Sequence, residues 1–129
     1  MSLPADPKAR KNLPITRGVL DYFPDAIAAV ADVSRLGNEQ HNPGQPLHWA
    51  REKSTDHADC IARHLIERGS VDVDGARHSA KLAWRALALL QTELEQEVEC
   101  GAPTGMPPAP FPKTDADIQA SKRLLEDRR

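Results

Sequence analysis

Hydrophobic residues recur at helical spacing in three stretches of the chain. The first starts after Pro24, with a small or apolar side chain at positions 27, 30, 31 and 34, and Gly37 predicts its end. The second runs from the capping residues at 54–56 to about residue 68, before Gly69. The third runs from about residue 76 to about residue 97. No stretch of useful length alternates with the period of a strand, so the pattern predicts an all-α protein.

The third predicted helix is apolar around most of its circumference. One seam consists of Ala76, Ala80, Ala83, Leu87, Leu90 and Leu94. Leu82, Trp84 and Leu89 lie on much of the remaining face. A helix of this kind is buried on several sides. The pattern therefore predicts a small helical bundle with this helix at its centre or at a subunit interface.

Proline distribution divides the 129-residue chain into four parts. We expect an extended N-terminal arm at 1–16, a helical core at 17–100, a proline-rich linker at 101–113 and a C-terminal helical arm at 114–129. A core of this size is marginal alone. The predicted architecture is thus three main helices and an arm helix, completed by a homodimer or larger homo-oligomer.

Charge and composition exclude several classes of protein. The net charge of −2 argues against general nucleic-acid binding. No apolar run reaches the roughly 20 residues that span a bilayer, and the N-terminus lacks a signal-peptide core. With Cys60 and Cys100 as the two cysteines, we expect free thiols in a reducing cytosol.

Common nucleotide-binding and hydrolase motifs are absent from the sequence, but one polar stripe stands out. His78, Lys81 and Arg85 follow one another at spacings of three and four residues on the third predicted helix. Burying such a stripe requires anionic partners. Two interpretations remain open: a solvated salt-bridge network, or a cleft in which carboxylates hold a metal ion and the two cations hold phosphates. Trp49, in polar surroundings, is a candidate for base stacking.

Several ordered segments of the sequence resemble a known family. These are the run from Gly37 to Trp49, the segment from Asp59 to Leu65, the acidic segment from Asp72 to Gly75, and His78 followed by Ala83-Trp84. Together, over roughly residues 9–95, they resemble the dATP/dGTP diphosphohydrolase N-terminal domain family of phages and bacteria. This family is similar to the MazG-like all-α nucleotide pyrophosphatases.

The resemblance implies an oligomeric bundle that cleaves a purine deoxynucleoside triphosphate to the monophosphate and pyrophosphate with Mg²⁺ or Mn²⁺. The site it implies consists of Asp59, Arg63, His64, Asp72, Asp74 and His78. Within that set we expect Asp59, His64 and Asp72 to bind the metal, Asp74 and His78 to act in catalysis and Arg63 to bind substrate. From the polar stripe and the surroundings of the indole, we expect Lys81, Arg85 and Trp49 to bind substrate as well.

Two departures from the family pattern keep other functions open. Lys81 and Arg85 stand where the family often has histidine and asparagine, and the paired acidic motifs of MazG helices are missing. Either these two cations bind phosphate, or metal-dependent catalysis is lost. The alternatives are a non-catalytic nucleotide-binding protein and a phage accessory protein that docks through its C-terminal segments.

Overall fold

A computed structural model describes residues 3–100. The elements follow in the order α1 (Pro7–Lys11), a π-helical turn (Thr16–Leu20), α2 (Pro24–His41), a 3-10 turn (Arg51–Lys53), α3 (His57–Ile66) and α4 (His78–Cys100). The predicted all-α class is confirmed. The predicted linker at 101–113 and arm at 114–129 lie outside the described residues, and oligomerisation stays a prediction.

The N-terminal segment differs from the extended arm that its prolines predict. Asp6 accepts a hydrogen bond from the backbone amide of Ala9 at 2.7 Å, and Pro7 occupies the first helical position. An acidic cap followed by proline is a favourable helix start, so α1 forms in spite of its short length.

Helix α2 continues past Gly37, where the sequence predicts an end. Gly37 has no positive φ angle, and the helix ends only where the amide of Asn42 donates to the carbonyl of Asn38 at 2.8 Å. The side chain of Asn38 then organises the following loop. Its amide donates to the carbonyl of Gln45 at 3.0 Å, and its oxygen accepts from the amide of His48 at 3.3 Å.

The acidic connection between α3 and α4 is a tight turn. The amide of Asp72 donates to the carbonyl of Ala76 at 2.8 Å, and an isolated antiparallel bridge joins Val71 to Arg77. Gly75 has a φ of +85°, a conformation that glycine adopts without steric cost. The turn places the first residue of α4 beside the end of α3.

The core of the described residues contains small side chains. The buried hydrophobic residues are Cys60, Ala76, Ala80 and Ala88, and no large side chain between residues 3 and 100 is fully buried. Leu87 and Leu90, which belong to the predicted seam of α4, remain 55% and 51% exposed. The seam therefore begins in the interior at Ala76 and Ala80 and continues onto the surface.

None of the helices within residues 3–100 has both the length and the apolar composition needed to cross a membrane.

Candidate functional site

A cavity of about 360 Å³ lies between α2, the loop that follows it and the first half of α4. This volume falls within the range of small-molecule sites. Its polar and aromatic lining includes Ser34, Asn38, His48, Trp49, Lys53, His64, Asp74, Lys81, Trp84 and Arg85. Two indole rings, three cations and a carboxylate thus face one space.

The aromatic wall of the cavity is formed by Trp49 and Trp84. Their rings meet edge to face, with centroids 5.6 Å apart at an angle of 76°. The Nε1 of Trp84 donates to the hydroxyl of Ser34 at 2.7 Å, which joins α4 to α2. The guanidinium of Arg51 lies 4.1 Å from the centre of the Trp49 ring. The Nε1 of Trp49 is buried and has no acceptor among the described residues.

Lys81 is held between two carboxylates of the acidic turn. Its Nζ lies 2.7 Å from Asp72 and 2.7 Å from Asp74. Hydrogen bonds from Lys81 hold the pKa of both carboxyl groups below the usual range. Burial opposes the charge on Lys81, but the two hydrogen bonds together outweigh it and raise its pKa. All three groups therefore remain ionised at neutral pH.

Arg85 lies one helical turn beyond Lys81, and nearby carboxylates compensate its positive charge less fully. Its Nη1 lies 3.3 Å from the Nδ1 of His57 and 3.9 Å from a carboxylate oxygen of Asp56. His57 is buried, and burial, followed by the charge of Arg85, lowers its pKa. A neutral His57 accepts a hydrogen bond from Arg85 and fixes the guanidinium without neutralising it.

Lys53 supplies a further cation from the 3-10 turn. Its Nζ donates to the carbonyl of His41 at 2.9 Å and lies 3.5 Å from the side-chain oxygen of Asn42. Both acceptors are uncharged, so Lys53 brings a net positive charge to the cavity.

A histidine pair lies at the end of α3, where His64 lines the cavity and His78 is buried behind it. Their Nδ1 atoms are 3.0 Å apart, and a carboxylate oxygen of Glu67 lies 3.4 Å from the Nδ1 of His78. One ligand atom from each of these three residues falls within 4.8 Å of the others. Imidazole and carboxylate are ligands of transition-metal ions, and of the predicted metal ligands Asp59, His64 and Asp72 this group contains His64 alone.

The structure places the predicted site residues in three groups. Trp49, His64, Asp74, Lys81 and Arg85 line the cavity, and Asp72 and His78 contact lining residues. Arg63 lies elsewhere, bonded to Asp56 at 3.0 Å. The carboxylate of Asp59 is exposed and forms no hydrogen bond or ion pair with any residue from 3 to 100. The roles assigned to all nine residues stay predictions.

Sequence reasoning did not include Lys53 or Asp56 in the site, and it considered Glu67 only as one of the acids near the polar stripe without assigning it a role. For Glu67 a signal exists, since residues three apart on a helix share a face and Glu67 follows His64 at that spacing. The contact of Asp56 with Arg85 spans two helices, and no local spacing indicates it.

The chain matches a known protein family. The model of the family described as dATP/dGTP diphosphohydrolase, N-terminal, matches residues 5–99 and therefore contains every residue of the cavity. No curated protein and no solved structure matches the chain significantly.

Proposed function

This chain belongs to the dATP/dGTP diphosphohydrolase N-terminal family, and from that premise we propose that it hydrolyses a purine deoxynucleoside triphosphate in the cavity beside α4. The observation that carries the proposal is the convergence of two indole rings with the cations of Lys53 and Arg85 in one space of suitable size. The products are the deoxynucleoside monophosphate and pyrophosphate.

The purine is assigned to the aromatic wall. Stacking of a base on an aromatic side chain contributes about 1–3 kcal/mol, and every base offers a π face. Trp84 is positioned by its hydrogen bond to Ser34, while Arg51 covers part of Trp49. The larger purine ring system offers more surface than a pyrimidine to the two indoles.

The phosphates are assigned to Arg85 and Lys53. Lys81 has two carboxylates at 2.7 Å, so this group of three side chains has a net charge of −1 before a ligand binds (one positive charge and two negative charges). Arg85 has its nearest carboxylate at 3.9 Å and Lys53 contacts uncharged oxygens, so both retain charge for phosphate oxygens. Lys81 positions Asp72 and Asp74 in this arrangement.

The reaction adds water to the α-phosphorus and breaks its bond to the oxygen that bridges to the β-phosphorus. Pyrophosphate leaves with that oxygen, and the proton lost by the water passes to solvent. Asp74 lines the cavity and stays ionised because Lys81 lowers its pKa, so it orients the attacking water by accepting a hydrogen bond. Mg²⁺ or Mn²⁺, when bound, neutralises charge on the phosphate oxygens.

A pyrophosphate-release assay tests the proposal. Purified protein is supplied with each of the four dNTPs and with Mg²⁺ or Mn²⁺, and the products are separated to distinguish pyrophosphate from inorganic phosphate. We expect release from dATP or dGTP to exceed release from dCTP or dTTP. Absence of pyrophosphate with every nucleotide and both ions rules the reaction out.

Replacement of Arg85 tests the phosphate contact. A hydrogen bond to a charged group contributes about 1.5–3 kcal/mol, so Arg85→Met should lower kcat/KM roughly 10- to 150-fold. Arg68→Met is the matched control, because Arg68 lies outside the cavity and donates to the carbonyl of Leu65. Equal kcat/KM for both variants contradicts the assignment.

One observation favours a second function, nucleotide binding without turnover. Lys81 engages both Asp72 and Asp74, two of the carboxylates predicted to act in the reaction. On this alternative a purine nucleotide raises the melting temperature and no product forms. Turnover in the assay above decides against it. The third possibility, docking through the C-terminal segments, concerns residues outside the described range.

A further inference from the structure

We propose that His64, Glu67 and His78 form a binding site for one divalent transition-metal ion of the Zn²⁺ class, with a preference over Mg²⁺. A part for this ion in dNTP hydrolysis rests on the proposed function. The binding of the ion does not, because it is measured without nucleotide. The site combines the last turn of α3, its C-terminal cap and the first residue of α4.

The distances between the ligand atoms support this assignment. In a tetrahedral zinc site with bonds of about 2.0–2.1 Å, neighbouring ligand atoms are about 3.3 Å apart. The Nδ1 atoms of His64 and His78 are 3.0 Å apart, and the Glu67 oxygen lies 3.4 Å from the Nδ1 of His78. These two separations bracket the expected ligand-to-ligand distance, and the three ligand atoms all lie within 4.8 Å of one another. The three side chains are therefore close enough to reach one ion after they adjust.

The fold positions part of the site before any ion binds. His78 is 7% exposed, and its backbone amide donates to the carbonyl of Ser70 at 3.2 Å, which ties its position to the turn. His64 lies on α3 and lines the cavity, while the side chain of Glu67 is 58% exposed. Two ligands on helices and one at the surface leave the ion open to solvent at the Glu67 side and to the cavity at the His64 side.

The surrounding charges permit a cation. Lys81 is the nearest positive group on α4, one turn beyond His78, and its charge is offset by Asp72 and Asp74 at 2.7 Å each. The group formed by these three side chains is therefore net negative. Bringing a divalent ion to His64 thus meets no uncompensated positive charge from the acidic turn.

The ligand types determine which ion is favoured. Imidazole nitrogen suits zinc and its neighbours in the first transition series, whereas Mg²⁺ requires oxygen ligands in an octahedron and releases water reluctantly. Two imidazoles and one carboxylate match the three protein ligands of open zinc sites. Mn²⁺ binds more weakly than Zn²⁺ at the same ligands.

Calorimetric titration of the full chain tests the site. The affinity tag is removed, the protein is dialysed against a chelator, and ZnCl₂ is added in one series and MgCl₂ in another. We expect one Zn²⁺ per chain and at least about 100-fold weaker binding of Mg²⁺. Zn²⁺ binding below one equivalent per chain, or equal affinity for both ions, overturns the proposal.

Variants locate the bound ion. Loss of an outer hydrogen-bond partner weakens metal binding about 10- to 100-fold, so loss of a ligand in His64→Gln or His78→Gln should weaken it by at least about 100-fold. Glu67→Gln should weaken it by about 10-fold or more, and since Glu67 is largely exposed this variant keeps the fold even if His78→Gln does not.

The controls are His41→Gln and Glu52→Gln, since both residues are exposed and lie outside the three-ligand group. Zn²⁺ affinity unchanged in Glu67→Gln and His64→Gln overturns the proposal. If metal binds at this site but no dNTP is cleaved, the proposed function fails and the site stands. If dNTPs are cleaved with Mg²⁺ and Zn²⁺ does not bind, the metal site fails and the proposed function stands.

Discussion

The two tryptophans of the cavity have the same indole group in unequal surroundings. The Nε1 of Trp84 has an acceptor at 2.7 Å in Ser34, whereas the buried Nε1 of Trp49 has none among the described residues. The hydrogen bond therefore stabilises the position of Trp84, whereas burial of an unpaired N–H group destabilises that of Trp49.

Replacing each tryptophan by phenylalanine should reveal this difference. Trp84→Phe removes a hydrogen bond worth roughly 1 kcal/mol, whereas Trp49→Phe removes an unpaired donor whose burial is itself unfavourable. We expect Trp84→Phe to lower the free energy of unfolding by about 1 kcal/mol more than Trp49→Phe in urea titrations. Ser34→Ala is the control and should reproduce the hydrogen-bond part of the loss. Equal losses for the two tryptophans contradict the assignment.

The contacts of Lys81 predict how stability depends on pH. The pKa values of Asp72 and Asp74 are lower in the folded chain than in the unfolded chain, chiefly through hydrogen bonds from Lys81. Groups of this kind stabilise the fold above their unfolded pKa of about 3.9, and the contribution disappears as pH falls through the lower folded values.

Lys81→Met should consequently destabilise the protein more at pH 7 than at pH 3. The measurement is the melting temperature of both proteins across this range, and the gap between them should narrow below about pH 4. Lys11→Met serves as control, since Lys11 is exposed on α1 and should give a gap that is small at every pH. A gap for Lys81→Met that is constant with pH contradicts the prediction.

At the scale of elements, two glycines differ in backbone conformation. Gly37 lies inside α2 with a helical backbone, and Gly75 lies in the acidic turn with a φ of +85°. A methyl group added at either position meets no atom within 4 Å, so backbone conformation alone distinguishes them.

Alanine substitution should therefore change stability in opposite directions. Gly37→Ala should stabilise the fold by about 0.5–1 kcal/mol, because alanine is the better helix former. Gly75→Ala should destabilise it by about 1–2 kcal/mol, because an alanine with positive φ is strained. Chemical denaturation of the two variants beside the wild type measures both changes, and a destabilised Gly37→Ala protein would argue that α2 ends where the sequence predicts.

Periodicity predicted the three main helices because small and apolar residues recur in each at helical spacing. It also identified the stripe of His78, Lys81 and Arg85, of which Lys81 has its partners close in sequence, in the acidic turn. It missed the extension of α2, because the hydrogen bonds of Asn38 that organise the next loop are side-chain contacts without a periodic signal. Helix identity was thus accessible from sequence, and helix ends were not.

At the scale of the whole molecule, orientation between helices could not be predicted. Periodicity shows that Leu87 and Leu90 share a face but not what covers it, and both remain more than half exposed. The contacts of Trp84 with Ser34 and of Arg51 with Glu95 join residues 50 and 44 positions apart, and they depend on how the helices pack.

The exposed leucines predict self-association. The buried hydrophobic residues between 3 and 100 are small, so pairing of the Leu87–Leu90 face with a second copy adds the larger apolar contacts that the core lacks. Sedimentation equilibrium should show a dimer or larger species, and Leu87→Glu with Leu90→Glu should shift it to monomer. Leu65→Glu with Ile66→Glu, on similarly exposed residues of α3, is the control. A wild-type monomer at high concentration excludes this arrangement.

The short turn between α3 and α4 has a consequence for partial unfolding. Lys81 and Asp72 are 9 residues apart and His64 and His78 are 14 apart, whereas Trp84 reaches Ser34 across 50 residues. Loss of α2 from the bundle would therefore dismantle the aromatic wall and leave the contacts of Lys81 with Asp72 and of His64 with His78 intact on a single helical hairpin. Amides of α2 should accordingly exchange with deuterium before those of the hairpin, and bound Zn²⁺ should slow exchange in the hairpin alone.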